Sequence, residues 1–313
     1  MRDPVAVIDI GSNTIKLLVA ARGAAGRINT LHFVAEEARI SRGLGAAQPV
    51  LSGEGMARGL AAVERLLAAA APFAPCQTVL VATSSVRDAA NGAEFCARIA
   101  AATGHCARIL SGEEEANLIG RGLAADPALS GLRDFYLFDL GGGSLECLSF
   151  RERVTTQALS VPLGCVRLTE RCVTDPSGPF TAADRDRIAA VVREVLDLSE
   201  FRFALPPASS AVATGGTLTS ARAIVEAQSG HLGEAGPSTI LVADLEALLR
   251  LTAPLPLIQR RAVPGLPPKR ADVFPAAVAT LLEVARFAGV DRFAHSFYNL
   301  RYGVAAEMLE GVG

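Results

Sequence analysis

The sequence predicts an α/β protein built on a duplicated core, and three observations carry that prediction. Residues 5–19 read as a strand, a tight polar turn and a second strand, and a near-copy returns at 136–146. In both halves three strands come first and mixed helix and strand follow, the order of an α/β layer protein. Helix start and stop signals punctuate the runs between strands. Asp9 and Asp139 lie 130 positions apart, so the chain divides near 125–130, into an N-terminal segment 1–127 and a C-terminal segment 128–313.

The first segment opens with strands near 5–10, 14–21 and 27–36, then a loop holding Gly43 and Gly45. Met56, Leu60, Val63 and Leu67 fall on one helical face, with Arg58, Glu64 and Arg65 off it and Ser52 as N-cap. A buried strand covers about 78–83, and Thr83-Ser-Ser-Val-Arg87-Asp leaves its polar end. Asn91 caps a helix that Gly104 stops. A strand near 106–110 meets Ser111-Gly-Glu-Glu114, a capping box that opens a helix to about 124.

After a Pro- and Gly-containing link come strands ending at Asp139, near 144–150 and near 153–161. Thr181-Ala-Ala-Asp184 is a second capping box, with Ile188, Val191, Val195 and Leu198 on one face. Residues 210–214 read as a strand that turns on Gly215-Gly216-Thr217 into a helix. A Pro-dense connector at 254–268, a strand near 291–296 and a last helix complete the chain. That last helix is expected to pack back on the N-terminal segment.

Composition narrows the function classes. The net charge of −2 argues against bulk affinity for nucleic acid or a membrane surface. Half of the 313 residues are hydrophobic, enough for sizeable cores. Residues 66–86 carry no charge, but prolines interrupt them, so they read as a helix end and a strand rather than a membrane span. Lysine occurs only at Lys16 and Lys269. The six cysteines form no Cys-x-x-Cys pair and the four histidines show no zinc-type spacing, so the cysteines read as reduced thiols of a cytoplasmic protein. The N-terminus runs straight into a strand, without a leader. No Walker loop, no Gly-x-Gly-x-x-Gly opening a helix and no Gly-x-Ser-x-Gly elbow is present.

The twin turns carry the chemistry. Each ends an apolar run on Asp, turns on glycine and offers a hydroxyl. Glycine lets backbone N–H groups approach an anion, and serine adds a donor. An Asp beside a phosphate is repulsive unless a cation stands between them, so the combination points to a metal–phosphate site made of two half-sites.

The sequence resembles the exopolyphosphatase and guanosine pentaphosphate phosphohydrolase family, part of the actin, heat-shock ATPase and sugar-kinase superfold. The match rests on Asp9-Ile-Gly-Ser-Asn-Thr14, Thr83-Ser-Ser-Val-Arg-Asp-Ala-Ala-Asn91, Ser111-Gly-Glu-Glu-Glu-Ala116, Asp139-Leu-Gly-Gly-Gly-Ser-Leu-Glu146 and Ala213-Thr-Gly-Gly-Thr217. Pro162–Glu170 and Gly265–Asp272 add to it. Leu145 stands where the family usually has Thr, and Asn299 where it usually has Gly. The chain ends at 313, without the long helical extension that helps larger members form a polyphosphate channel, so long-chain processivity is not among the expectations. The resemblance implies a two-lobed actin-like, ribonuclease H-like fold with a central cleft. It also implies hydrolysis of terminal phosphates from inorganic polyphosphate or guanosine pentaphosphate with Mg²⁺, and often a homodimer.

Residue roles follow from resemblance and chemistry together. Asp139 and Glu146, flanking the glycine turn, are the expected Mg²⁺ carboxylates, with Asp9 facing them from the other half. Asp9 as a turn-capping residue and Glu146 as a solvated strand residue are the competing readings. In Glu113-Glu114-Glu115, Glu114 caps and Glu113 complements the helix N-terminus. That leaves Glu115, where the family's water-activating Glu also falls; three solvated glutamates are the alternative. Arg87 matches the family's Arg in its segment and suits a bidentate phosphate grip, or else an ion pair between the lobes. Gly11, Ser12, Asn13, Gly142, Gly143, Ser144, Gly215, Gly216 and Thr217 supply phosphate donors. Lys16, in the outgoing strand, and Arg270 remain open. A kinase of the same superfold and a non-catalytic, nucleotide-sensing relative are the rival functions; the full carboxylate set argues against the second.

Overall fold

The computed structural model describes residues 3–23, 26–41, 43, 46, 48–206, 209–229 and 239–311. Gly45 and His231 lie outside them. The chain forms two compact units, residues 1–130 with 298–313, and residues 131–297.

The first unit is a five-stranded mixed sheet with helices. Its strands are β1 (Val5–Ile10), β2 (Ile15–Arg22), β3 (Ile28–Glu36), β4 (Gln77–Ala82) and β5 (Ala107–Ile109). They lie in the order β3-β2-β1-β4-β5, with β1 antiparallel to β2 and parallel to β4. β1 is buried at every position, as expected of a central strand covered on both faces. The helices are α1 (Gly53–Ala70), α2 (Ser84–Arg87), α3 (Gly92–Thr103), α4 (Gly112–Ala124) and, from the chain's end, α11 (Leu300–Gly311).

The second unit repeats this plan. Its strands are β6 (Phe135–Leu140), β7 (Leu145–Arg151), β8 (Val154–Val161), β9 (Ser210–Thr214), β10 (Thr239–Leu241) and β11 (Arg292–His295). The order β8-β7-β6-β9-β11 matches that of the first sheet, and β10 adds an antiparallel edge. A β-bulge recurs in both outgoing strands, at Val19/Ala20 and at Ser149/Phe150, the same offset from Asp9 and from Asp139. Helices α5 (Cys165–Cys172), α6 (Ala182–Leu198), α7 (Gly216–Ser229), α8 (Val242–Thr252), α9 (Leu257–Arg260) and α10 (Phe274–Ala288) complete the unit. α10 is buried along nearly its whole length, which its almost uniformly apolar sequence requires.

Local signals fared unevenly. Ser52 accepts a hydrogen bond from the Gly55 N–H, and both capping boxes, Ser111/Glu114 and Thr181/Asp184, are formed. The Ser111 N–H holds the Glu114 carboxyl below its ordinary pKa. Asn91 stands at the head of α3 without capping it; its side chain instead accepts from the Leu51 N–H and donates to the Leu51 carbonyl. The buried face of α1 runs through Met56, Gly59, Ala62, Val63, Leu66 and Ala70, so Leu60 and Leu67 are only half buried. In α6 the buried face is Ile188, Ala189, Val192 and Leu196, and Leu198 is 81% exposed. In both helices small residues in the apolar stripe let it rotate by about one position from the larger side chains. All six cysteines are free; Cys147, Cys165 and Cys172 are core residues, whereas Cys76 and Cys106 are exposed. Among the described residues no helix is long and apolar enough to cross a membrane.

Candidate active site

In the first unit the chemistry gathers at the C-terminal ends of β1 and β4 and at the head of α4. Asp9, next to last in β1, is buried, as are Ser12 and Asn13 in the turn that follows. The outer side of that turn is held by a neighbouring loop. The Ser12 carbonyl accepts from the Ser41 hydroxyl at 3.0 Å, and the Asn13 carbonyl accepts from the Arg39 N–H at 3.0 Å. Asp9 sits directly across the ladder from Lys16. Residues opposite one another on an antiparallel pair share a face, so the outgoing strand places Lys16 on the Asp9 side of the sheet, answering the question its position left open.

Asp9 has a second cationic neighbour that sequence reasoning missed. Arg301, in the first turn of α11, donates from Nη1 to the Asp9 Oδ2 at 3.1 Å, and both residues are buried. The two are 292 positions apart, and no local pattern connects them.

Glu115 and Arg87 come together. Glu115 lies in the first turn of α4 and is only 5% exposed, against the alternative reading of three solvated glutamates. Arg87 closes the short helix α2 and donates from Nη1 both to the Glu115 Oε2 at 2.6 Å and to the Leu110 carbonyl at 3.1 Å. The carboxylate therefore has a fixed partner on one oxygen, and the guanidinium has a fixed seat. A charge-assisted bond of this length is among the stronger side-chain contacts.

In the second unit Asp139, next to last in β6, is directly opposite Glu146 of β7 and in register with Thr214 of β9. Both carboxylates are buried, at 7% and 2% exposure. Opposed residues have Cβ atoms about 4.5–5.5 Å apart, and like charges so placed repel. Ser160 of β8 is in register with Glu146 and donates to its Oε1 at 2.8 Å. Burial, and then the Glu146 charge, push the Cys147 thiol far above its ordinary pKa, so this cysteine stays a neutral core group.

The Gly141–Ser144 turn that joins the two carboxylates is braced from one side. The N-terminal N–H groups of α5 bond to it, Cys165 to the Gly141 carbonyl and Val166 to the Gly142 carbonyl, and the Arg167 Nε donates to the Gly143 carbonyl. Ser144 is buried within the turn. The Gly215-Gly216-Thr217 turn follows β9. Gly215 has φ +97°, and a Cβ there would stand 2.9 Å from the Asp139 Oδ1. Glycine is thus required at 215 both by conformation and by the carboxylate beside it. The Arg270 guanidinium lies against Gly216, where a Cβ would collide with its Nη1, so Arg270 packs on this turn. Thr217 is fully buried in the first turn of α7.

The donor set of the second unit suits a hard divalent cation. Mg²⁺ takes one or two carboxylates and completes its shell with water and phosphate oxygens. Asp139 and Glu146 are such a pair, and a cation between them removes their mutual repulsion. Among the described residues no group of three or more His, Cys, Asp or Glu is arranged to hold a metal, so the pair is what the unit itself offers.

Comparison with known proteins gives consistent results. The model of the Ppx/GppA phosphatase family matches residues 18–311. The chain is 33% identical to Exopolyphosphatase 2 of Mycobacterium tuberculosis, over 97% of this chain and 98% of that protein. Among solved structures it resembles an exopolyphosphatase from Cytophaga hutchinsonii with TM-score 0.86, 23% identity and 99% of both chains covered. It also resembles the Ppx/GppA family member of Aquifex aeolicus, with TM-score 0.76, 21% identity, and 99% of this chain and 98% of that one covered. These likenesses show the fold the sequence led us to expect, a duplicated actin-like α/β architecture.

Proposed function

This chain belongs to the Ppx/GppA phosphatase family and is a phosphoanhydride hydrolase, and on that premise we propose that it releases terminal phosphate from inorganic polyphosphate with the aid of Mg²⁺. The relative named as an exopolyphosphatase, matched along nearly its full length, favours polyphosphate over a pentaphosphate nucleotide. The free cysteines fit a reducing, cytoplasmic setting.

The observation that carries the mechanism is the pairing of the buried Glu115 with Arg87. Phosphoryl transfer asks little covalent chemistry of a protein; it asks for positioning and charge. Glu115, held by Arg87, orients the attacking water. Arg87 shares its guanidinium with the phosphate under attack. The N–H groups and hydroxyls of Gly11–Asn13 in the first unit, and of Gly142–Ser144 and Gly215–Thr217 in the second, are the phosphate donors. Asp139 and Glu146 would hold Mg²⁺ directly. Asp9, the carboxylate of the first hairpin, has one oxygen engaged by Arg301. The bound cation supplies neutralisation of phosphate oxygens.

The test is phosphate release from short polyphosphate, long polyphosphate and guanosine pentaphosphate, measured side by side for the wild type and Glu115→Ala. The reading predicts highest turnover on polyphosphate and a loss of at least about 100-fold in the variant. Retained activity in Glu115→Ala refutes the role of Glu115, and preference for the nucleotide refutes the substrate.

A further inference from the structure

The two hairpins share strand order, turn chemistry and bulge position, yet their charges are opposite in sense. Across the ladder from Asp139 stands Glu146, so the second hairpin presents two carboxylates. Across from Asp9 stands Lys16, and Arg301 is bonded to Asp9 as well. One hairpin is built to hold a cation. The other carries a carboxylate bonded to Arg301 and in register with Lys16, beside the Ser12–Asn13 turn.

Arg301 is poorly explained as a structural strut. It is only 4% exposed, and its Nε–H is buried without a hydrogen-bond partner. Leaving a charged donor unmet is costly, and an apolar side chain would pack the same space without that cost. What the guanidinium does make is the 3.1 Å bond to Asp9 and a contact with the Phe33 ring, whose centroid is 5.3 Å away. The helix that carries it is fixed by close approach. α11 packs on α4 and on β1, and a Cβ at Gly303 would fall 1.8 Å from the Leu118 carbonyl of α4. The same α4 bears Glu115 at its head. The last helix is therefore seated against the element that carries Glu115 and delivers a cation to Asp9.

We propose that Arg301 is a positioning residue for the hydrolysis: it holds the Asp9 carboxylate in one orientation and cancels its charge where the phosphate chain approaches the first hairpin turn. This rests on the reading of the site as a polyphosphatase centre. Without Arg301 a buried carboxylate beside the Ser12–Asn13 turn repels the substrate and is free to rotate.

The experiment compares kcat and KM on a short polyphosphate for the wild type, Arg301→Gln, Arg301→Lys, Asp9→Asn and the double variant Asp9→Asn with Arg301→Gln, with thermal unfolding of each. Arg301→Gln should raise KM about 10-fold and lower kcat about 10-fold, the scale of a lost charge-assisted hydrogen bond. Arg301→Lys keeps the charge but not the planar fork; it should return KM to within about 3-fold of wild type and leave kcat low. The double variant should be no worse than Asp9→Asn, because Arg301 acts through Asp9. Kinetics of Arg301→Gln within about 2-fold of wild type, alongside a lowered Tm, would assign Arg301 to stability alone and overturn the proposal. So would a double variant whose loss is the product of the two single losses. If the wild type releases no phosphate from polyphosphate, the functional reading fails by itself; calorimetric binding of inorganic pyrophosphate then decides on Arg301, with equal affinity in wild type and Arg301→Gln as the contrary result.

Discussion

Arg87 and Glu115 meet at 2.6 Å, one closing a four-residue helix after β4 and the other opening α4. The pair is asymmetric: Glu115 is almost wholly enclosed, whereas the Arg87 side chain is 21% exposed. The guanidinium is thus the member that can meet a ligand, and the carboxylate the member that must be held. Arg87→Lys keeps a charge but loses the fork. It should lower kcat more than Arg87→Gln raises KM, as steady-state kinetics on polyphosphate will show. Glu115→Gln keeps the shape and should remain folded by circular dichroism while losing at least about 100-fold in kcat.

The Asp139–Glu146 pair makes a prediction about the cation. Glu146→Gln removes one of two opposed charges and should raise the Mg²⁺ concentration for half-maximal activity by about 10-fold or more. The same change relieves a like-charge repulsion in the metal-free protein, so its Tm without Mg²⁺ should rise or hold. Ser160→Ala, which takes a donor from Glu146, should give a smaller rise in the Mg²⁺ requirement. A chelator should abolish phosphate release in all three proteins.

Arg260 tests the packing of the second unit. It is 1% exposed and donates to four backbone carbonyls, those of Thr252, Ala271, Gly178 and Leu255. Burial lowers its pKa, and the Asp272 charge opposes that. Arg260→Ala strands all four acceptors and should cost at least about 3 kcal/mol, read as a fall in the denaturant midpoint. An apolar substitute of similar length, Arg260→Met, fills the space but satisfies none of them and should rescue only part of that loss.

His295 sets a pH dependence of stability. Burial first, and then the Arg222 guanidinium at 3.0 Å from Nδ1, depress its pKa to about 4; Glu226, paired with Arg222, is the nearby acid. The unfolded chain has the ordinary value of about 6.5. Between these values the unfolded chain binds a proton that the folded chain does not, so stability rises with pH across the window. The contribution is fully present above about pH 6.5 and is lost as pH falls through about 4, at most about 3 kcal/mol in all. Urea unfolding at pH 7 and pH 4.5 should show a steeper loss for the wild type than for His295→Gln. Equal slopes would contradict it.

Much of this was legible in the sequence, because it is local. The twin Asp-Gly-Ser turns follow from side-chain types a few positions apart, and the Ser111 and Thr181 capping boxes from a spacing of three. Glu115 could be singled out because its neighbours had other work. What was not legible depends on register or on distance along the chain. Lys16 faces Asp9 only because β2 pairs with β1 in one register, and Ser160 reaches Glu146 only through β8. Arg301 comes from the other end of the sequence. Helix faces went astray where Gly59 and Ala62, or Ala189, take the buried positions, since periodicity weighs large side chains and close packing favours small ones.

The most direct test of the central claim is isotopic. Polyphosphate of defined length is incubated with the enzyme and Mg²⁺ in ¹⁸O-labelled water, and the released orthophosphate is analysed by mass spectrometry. A Glu115-oriented water predicts one solvent oxygen in each orthophosphate, at a rate that Glu115→Ala lowers by at least about 100-fold. Label incorporation at an unchanged rate in Glu115→Ala, or no orthophosphate from the wild type, would contradict it.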